Sequence, residues 1–306
     1  MAELKQVTTE KENAGKRLDL YLVFAFPEIS RSFGKQLIAN GKVKINGEVE
    51  FRPHYKMKAG DTLRAEIELK NTHSTIIPQD LPLNIIYEDA DLLVVNKPAG
   101  LTVHPATGNW QGTLMNAVLF HFRELKEVGD TIRSGLIHRL DKDTSGIVLI
   151  GKSSKGLWHY SKQFAERKVE KSYLAVCAGN VKNFTHGAEV EIRNYLGRNP
   201  VKRKKIAVVN AAKGRLALTK IKALKIIKID NKEYSLVLAV PHTGRTHQIR
   251  VHLSTTGYPV LGDKVYGKGN DYKRLMLHAW KLSVRDPDGG LKTFTAQPTP
   301  EFKPFL

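Results

Sequence analysis

The spacing of hydrophobic and polar positions changes several times along the chain, and the first regular segment lies near the N-terminus. Apolar side chains recur at helical spacing over residues 18–25, and a second helix is predicted over 31–40. Asn46-Gly47 then separates two short apolar runs, and this dipeptide favours the tight turn of a hairpin. Two short helices and a small sheet are therefore predicted for a module of residues 15–70.

Beyond this module, residues 71–82 contain two prolines and no periodicity, which predicts a linker. Apolar runs typical of strands follow, with fewer stretches of helical spacing between them. The predicted strands lie within 83–97, 146–153, 171–179, 216–227, 234–241 and 247–253, and the predicted helices lie over 112–127 and 154–168. This strand-rich mixture indicates an α+β domain over 83–306.

The charge of the chain points to a polyanionic partner. Its 306 residues include 49 Lys and Arg against 30 Asp and Glu, a formal charge of +19. Nucleic acid is therefore the expected partner, ahead of an anionic membrane, because the basic amphipathic helix that favours a membrane surface is not evident. A single cysteine, Cys177, excludes an internal disulfide and a cysteine zinc cage. With a polar N-terminus that lacks a targeting signal, this composition predicts a cytoplasmic protein.

The candidate chemistry lies in the polar stretch HRLDKDTSG, residues 138–146, between two apolar runs. One interpretation is a simple polar turn, since these residues tolerate turn dihedrals. A second takes Asp141 as the nucleophile of a haloacid-dehalogenase-type D-x-D-x-T motif, which requires an apolar strand directly before it. His138 and Arg139 stand there instead. A third interpretation takes Asp141 as the single catalytic carboxylate of a site without a metal.

The stretch resembles the H-R-L-D-x-x-T-S-G signature of RluA-family pseudouridine synthases. Further segments resemble that family's motifs in the same order, namely VVNKPAGLTVHP, VEKSYLAVCAG, HTGRTHQIRVHL with GYPVLGDKVYG, and RLMLHAW. The N-terminal segment resembles the ribosomal-protein-S-four-like (α-L) RNA-binding domain, so the resemblance covers essentially the whole chain. It implies a mixed, largely antiparallel synthase domain of α+β class behind a small RNA-binding module.

The resemblance also implies roles for individual residues. By position, Asp141 is the catalytic aspartate, and Arg245 of the G-R-T-H-Q segment is the partner that keeps it ionised. Tyr173 packs against the extruded base, although its strand-like surroundings also suit plain core packing. Leu277 forms an apolar wall of the pocket or belongs to the core. We interpret His138 and His247 as structural.

The same resemblance implies RNA contacts. Arg139 fills the gap that the extruded nucleotide leaves in the RNA stack, because a planar guanidinium both stacks and hydrogen-bonds. Lys171 belongs to the K-x-Y segment beside the site. In the N-terminal module, the basic residues presented to RNA are Arg31, Lys35, Lys42 and Lys44. The charge run itself predicts phosphate contacts from a loop holding Lys202, Arg203, Lys204 and Lys205.

The implied reaction is the isomerisation of uridine to pseudouridine, which requires neither a cofactor nor a metal. Large-subunit ribosomal RNA is the expected substrate, and tRNA is the alternative. A non-catalytic RNA-binding assembly factor on the same fold is the alternative from another functional class. No DNA or membrane partner is expected, and a monomer is sufficient because each chain carries one site.

Overall fold

The computed structural model describes residues 3–26, 29, 31–67, 76–106, 109–128, 134–202, 205–267 and 272–306, without the side chains of residues 3, 31, 32, 126 and 127. The chain divides into two compact units, Met1–Ser74 and Thr75–Leu306. Within the described ranges, every helix is too short or too polar to cross a bilayer.

The smaller unit contains a sheet with two helices packed against it. Its strands are β1 (Glu3–Thr8), β2 (Val43–Ile45), β3 (Glu48–Val49) and β4 (Thr62–Ile67), and its helices are α1 (Leu18–Ala25) and α2 (Arg31–Ala39). The described strands pair antiparallel in the order β1-β4-β2-β3. Leu18, Leu22 and Ile38 of the helices are fully buried with Val43 of the sheet.

Local signals explain most of this unit. Asn46 and Gly47 both have positive φ, 52° and 91°, so they form the predicted turn between β2 and β3. Both predicted helices are confirmed. Strand β1 is not predicted from the sequence, and the unit therefore begins before residue 15. Its largely polar residues give no periodic pattern, and backbone pairing to β4 over six positions defines the strand.

The larger unit is built on one mixed sheet. Its strands are β5 (Ile85–Glu88), β6 (Leu92–Lys97), β7 (Ser145–Gly151), β8 (Glu170–Ala178), β9 (Glu189–Arg198), β10 (Ile206–Val208), β11 (Arg215–Ile229), β12 (Lys232–Pro241), β13 (Leu277–Arg285) and β14 (Leu291–Thr295). Its helices are α3 (Leu114–His121), α4 (Ser154–Ala165), α5 (Lys182–Thr185) and α6 (Gln248–Thr255). Short 3-10 helices cover Arg123–Glu127 and Pro300–Phe305.

The described strands follow the order β10-β9-β11-β12-β8-β13-β7-β6-β5, with β14 paired to β13. Every pairing among them is antiparallel except that of β13 with β7, which is parallel. The predicted α+β class with a largely antiparallel sheet is therefore confirmed.

Both faces of the sheet are covered at β6 and β7. Val148 and Ile150 of β7 pack with α3, whereas Ile147 and Leu149 pack on the opposite face with Tyr160 of α4. Successive side chains of a strand point to opposite faces, so a strand buried on both faces is apolar at every position. This explains the uninterrupted apolar run of β7.

The structure corrects one prediction in this unit. Residues 247–253, predicted as a strand, form the helix α6 and the residue before it. Within the predicted linker 71–82, the residues from Ile76 onward pack against α3. Asn116 donates to the carbonyl of Ile77, and the amide of Gln79 donates to the carbonyl of Asn116. Residues 71–75 lie outside the described residues.

Candidate active site

The polar stretch 138–146 forms a loop that turns at Asp141 and enters β7. The amide of Thr144 donates to the carbonyl of Asp141 at 3.2 Å, which closes the turn. Gly146 follows at φ 113°, and a Cβ there would lie 2.2 Å from the carbonyl oxygen of Ala279 on β13. Only glycine allows β7 and β13 to pair at this point. The loop is thus fixed directly behind Asp141.

A buried lysine holds the other side of the same loop. The Nζ atom of Lys97, at the end of β6, donates to the carbonyl oxygens of Pro98, Leu101 and Lys142 at 2.8, 2.8 and 2.9 Å. Three acceptors match the three N–H donors of an ammonium group. Burial lowers the pKa of Lys97 to about 7, although Asp143 and Asp141 act in the opposite direction. Lys97 therefore ties the segment after β6 to the residue that follows Asp141.

The loop between β12 and α6 forms the facing wall of the site. Gln248 at the start of α6 accepts from the hydroxyl of Thr243 and the amide of Arg245, and its amide nitrogen donates to Leu218 and Thr219 on β11. The oxygen and the nitrogen of this buried amide therefore both have hydrogen-bond partners within the fold. The loop and the first turn of α6 are therefore held against β11.

The arginine that reaches Asp141 lies on α6. Arg250 Nη1 lies 3.3 Å from Asp141 Oδ2, while Nε and Nη2 donate to both carboxylate oxygens of Asp263 at 2.7 and 2.9 Å. The Arg250 side chain is 6% exposed and that of Asp263 is fully buried. Asp141 is 24% exposed and open to the adjacent cavity. An arginine partner favours the ionised carboxylate.

This geometry corrects the prediction that Arg245 is the partner of Asp141. Arg245 lines the same cavity, but its Nε donates to the carbonyl of Leu216 at 3.2 Å. The prediction takes Arg245 from its place in the G-R-T-H-Q segment, whereas the arginine that contacts Asp141 lies five residues later. In a helix, residues three apart share a face, so the turn of α6 brings Arg250 to the side of His247.

His247 also lies closer to the chemistry than its structural interpretation implies. Its Nε2 is 3.8 Å from Asp141 Oδ2, and its Nδ1 is 2.8 Å from the hydroxyl of Tyr266. That hydroxyl also accepts from the amide of Ile206 at 3.0 Å, so Tyr266 links the ring of His247 to the backbone at the start of β10. Burial lowers the pKa of His247, although Asp141 opposes the shift, so the ring is neutral at neutral pH.

These elements enclose a cavity of about 180 Å³. Asp141 is the only carboxylic acid among its described lining residues, and Tyr173 and Leu277 supply apolar surface. Tyr173 lies on β8 and Leu277 on the adjacent strand β13. Tyr173 is partly buried and Leu277 is buried, and both also form part of the cavity wall. The structure therefore brings together Asp141, Tyr173, Leu277 and Arg245 as lining residues, and adds Arg250 and His247.

The predicted RNA-contacting residues of this unit lie partly at the cavity. Arg139 and Lys171 both line it, and Arg139 is exposed. Burial, reinforced by the nearby charge of Arg167, lowers the pKa of Lys171. His138 faces the interior, where its Nε2 accepts the amide of Leu149 at 3.0 Å and burial lowers its pKa to about 3. The structural interpretation of His138 fits this arrangement.

The other predicted basic contacts differ in whether they are also engaged within the fold. All four of Lys35, Lys42, Lys44 and Lys202 are exposed, and Lys35 and Lys42 also form ion pairs with Asp19 and Glu66 at 3.7 and 2.7 Å. The ammonium of Lys205 donates to the carbonyl of Val265, so it also stabilises the fold. The side chain of Arg31 and the residues Arg203 and Lys204 lie outside the described residues.

A second layer fixes the start of β7 from the C-terminal part of the chain. The hydroxyl of Ser145 lies 2.8 Å from His278 Nδ1 and accepts from Arg274 Nη2 at 2.8 Å. Arg274 also donates to Thr299, and Nε2 of His278 lies 3.0 Å from the carbonyl of Ala296. Burial lowers the pKa of His278 to about 4, so the imidazole of His278 is uncharged within this network.

The site does not fit the phosphotransferase interpretation. Asp141 precedes β7 and does not follow an apolar strand, which is the position that the D-x-D-x-T motif requires. Among the described side chains, no three His, Cys, Asp or Glu residues cluster as metal ligands.

Three functional residues are missing from the predictions, namely Arg250, Asp263 and Lys97. Asp263 stands in GYPVLGDKVYG and Lys97 in VVNKPAGLTVHP, so both lie in segments that resemble family motifs. A lysine directly after the apolar run LLVVN is the available signal for Lys97. For Arg250, the signal is its spacing of three from His247, provided that the segment is assigned as a helix.

Comparison with known proteins agrees with this geometry. A family model described as RNA pseudouridylate synthase matches residues 91–255, and one described as S4 domain matches residues 16–63. An "Uncharacterized RNA pseudouridine synthase" of Aquifex aeolicus is 41% identical over 84% of this chain and 78% of its own. The "Ribosomal large subunit pseudouridine synthase D" of Zymomonas mobilis is 37% identical over 94% of this chain and 91% of its own.

A solved structure extends the comparison. The human "RNA Pseudouridylate Synthase Domain Containing 1" superimposes with a TM-score of 0.60 and 28% identity, covering 72% of this chain and 85% of that one. The family model covers more than half of the chain, and the Zymomonas protein matches nearly all of it. The chain belongs to the RNA pseudouridylate synthase family and is an RNA pseudouridine synthase that carries an S4 RNA-binding domain.

Proposed function

We propose that this enzyme isomerises uridine in large-subunit ribosomal RNA, with Asp141 as its catalytic residue. The observation that carries the proposal is a carboxylate held by Arg250 and open to a ligand, which is the one carboxylic acid among the described residues of the cavity wall. The printed names of relatives that span nearly the whole chain support the choice of ribosomal RNA. A tRNA substrate is the alternative.

The reaction moves one glycosidic bond. The bond from ribose C1′ to uracil N1 breaks, the bond from C1′ to C5 forms, the C5 hydrogen is lost as a proton, and N1 gains one. Asp141 supplies the carboxylate, acting as a nucleophile or as a base. Arg250 donates one hydrogen bond to Asp141 while Asp263 holds the other edge of the guanidinium, so Asp141 retains free lone pairs for substrate.

The cavity can accept a uracil ring only after the nucleotide leaves its stack, because the reacting atoms are out of reach inside a helix. Tyr173 and Leu277 offer apolar surface to the extruded ring. The exposed guanidinium of Arg139 at the cavity rim is placed to stack in the gap that remains. Exposed Lys44 and Lys202 supply phosphate contacts farther along the RNA.

The lining residues come from one chain, and we propose that the monomer is active. Light scattering of the purified enzyme at assay concentration tests this, since an exclusively dimeric active species would contradict it.

The main test uses ribosomal RNA and tRNA transcripts labelled with tritium at uridine C5, which isomerisation releases to water. Wild type should release tritium from ribosomal RNA with a chelator present, and Asp141→Asn should release none while retaining RNA binding. Asp143→Asn is the matched control, because Asp143 is exposed in the same loop and does not line the cavity. Release by Asp141→Asn at the wild-type rate would refute the assignment, and release from tRNA alone would favour the alternative substrate.

A further inference from the structure

A second cavity opens beside the one that contains Asp141. Its volume is about 410 Å³. The two cavities share six lining residues, Arg139, Lys171, Tyr173, Thr243, Gly244 and Arg245. A single nucleotide can therefore place its base in one cavity and an adjoining group in the other.

The second cavity is strongly cationic, and we call it the basic cavity, defined by Arg139, Arg167, Lys171 and Arg245. None of these four cations forms an ion pair with a carboxylate of the described residues. The lining itself contains no carboxylic acid among those residues. The positive charge of the basic cavity is therefore uncompensated within the described fold.

The cations are close enough to affect one another. Burial lowers the pKa of Arg245, and the charges of Arg167 and Arg215 lower it further. Burial also lowers the pKa of Lys171, and the charge of Arg167 adds to this effect. Like charges gathered in a partly desolvated cavity repel one another, and a bound anion removes this repulsion.

Arg167 is held in this cluster against its backbone preference. It follows α4 at φ 59°, in the left-handed region, where its amide donates to Phe164 and the next amide donates to Gln163. This pair of bonds is the Schellman motif, whose left-handed position is usually glycine. An arginine at that position is less favourable for the helix end than glycine, so its side chain calls for a separate explanation.

We propose that the basic cavity binds the RNA phosphate adjoining the target uridine while its base occupies the cavity of Asp141. The proposal rests on the proposed function, because it requires the Asp141 cavity to receive the base. A phosphate oxygen pair matches the planar donors of a guanidinium, and RNA places a phosphate on each side of every base. The phosphate contact then fixes the extruded nucleotide at one end while Asp141 acts at the other.

Arg167→Gly provides the test, because it removes the guanidinium and at the same time relieves the left-handed backbone. Its thermal midpoint should equal or exceed that of wild type, while kcat/KM for tritium release from the ribosomal RNA transcript falls about tenfold. The slope of log kcat/KM against log salt concentration should become shallower by about one phosphate contact. Lys168→Ala is the matched control, since Lys168 is the exposed neighbour of Arg167, pairs with Glu166 and does not line the basic cavity.

A neutral methylphosphonate placed singly in a synthetic RNA identifies the phosphate. Replacement on one side of the target uridine should reduce wild-type kcat/KM about as much as Arg167→Gly does, and it should reduce the variant no further. Additive losses at both positions, or wild-type kinetics for Arg167→Gly, would overturn the proposal. A lowered midpoint with an unchanged salt slope would instead show a structural role for Arg167.

Failure of the proposed function would give a different result. Wild type would then release no tritium from either ribosomal RNA or tRNA. In that case, equilibrium binding of the same transcripts tests whether the basic cavity binds an RNA phosphate. Arg167→Gly must weaken binding and reduce the salt slope, and Lys168→Ala must not. Equal binding by wild type and Arg167→Gly would overturn the inference.

Discussion

Arg250 Nη1 lies 3.3 Å from Asp141 Oδ2, and this contact uses the one part of the guanidinium that Asp263 leaves free. One arginine thus serves two carboxylates with different tasks. Asp263 is buried and accepts four hydrogen bonds, two of them from the amides of Val265 and Tyr266. Asp141 receives a single bond from the guanidinium and faces the cavity. The guanidinium is held rigidly by one partner so that it can orient the other.

Conservative replacement of the two arginines should distinguish their roles. Arg250→Lys keeps a charge but cannot hold Asp263 through two bonds and Asp141 through a third, so kcat should fall by about 100-fold. Arg245→Lys keeps its charge at the cavity and should change kcat by less than about threefold. Single-turnover tritium release measures both, and the reverse ranking would restore Arg245 as the partner of Asp141.

Tyr266→Phe should release the ring of His247. We expect the hydroxyl to donate to Nδ1 and so to keep the ring proton on Nε2, toward Asp141. Its removal leaves both Nδ1 and the amide of Ile206 without this partner. We expect kcat to fall about tenfold, with KM within about twofold of wild type. Long-range proton–nitrogen spectra report the tautomer directly. An unchanged Nε2–H form would contradict the argument, and Tyr195→Phe is the control because the Tyr195 side chain on β9 is exposed.

Lys97→Met should destabilise the larger unit in a pH-dependent way. All three tryptophans, Trp110, Trp158 and Trp280, lie in this unit, so their fluorescence reports its unfolding selectively. The replacement removes the donors for three carbonyl oxygens and should cost about 3 kcal/mol at neutral pH.

The direction with pH follows from the lowered pKa of Lys97, about 7 in the folded state against the ordinary 10.5. Between these values the unfolded chain binds more protons, so the stability of wild type relative to Lys97→Met rises with pH across this window, by on the order of 4 kcal/mol. Urea unfolding at pH 7, 8.5 and 10 checks this. A difference in unfolding free energy that is constant or decreases with pH would mean that Lys97 keeps its ordinary pKa.

Comparison of Gly146→Ala with Gly187→Ala should separate the cost of a steric clash from the cost of backbone strain. Gly146 combines positive φ with backbone atoms of Ala279 within 3 Å of the added Cβ, whereas Gly187 has positive φ and nothing within 4 Å. Gly187→Ala should therefore cost about 1 kcal/mol, and Gly146→Ala more than about 4 kcal/mol. Urea unfolding followed by tryptophan fluorescence measures both, with soluble yield as the readout if Gly146→Ala does not fold. Equal costs would mean that the strand pairing yields to the methyl group.

The sequence predicts elements well where a local pattern is sufficient. The helices α1, α2 and α4 and the turn at Asn46-Gly47 are confirmed, because each depends on neighbouring residues. The segment HQIRVHL misleads because its β-branched and apolar residues suit a strand, whereas the bonds of Gln248 to β11 fix a helix start. A strand would also place His247 and Arg250 on opposite faces, whereas the helix brings them to one side. The assignment of Arg245 to Asp141 rests on the family resemblance and is independent of this error.

Contacts between residues far apart in the sequence are not predicted, because a local pattern does not specify them. Lys97 and Lys142 are 45 positions apart, and Arg250 and Asp141 are 109 apart. Nothing in the local pattern around either residue specifies such a pairing. The position of Asp141 itself was predictable through the resemblance of a contiguous motif, while its charge partner depends on how the chain folds back.

The hydrogen bonds of Arg274 and His278 to Ser145 affect when the active site can assemble during translation. The loop of Asp141 leaves the ribosome well before these residues and before Ala296 and Thr299, to which they are bonded in turn. Pairings of such large sequence separation form late in folding. A nascent chain therefore carries its S4 domain long before it carries an assembled catalytic loop, and the enzyme gains activity only after Ala296 and Thr299 have left the ribosome.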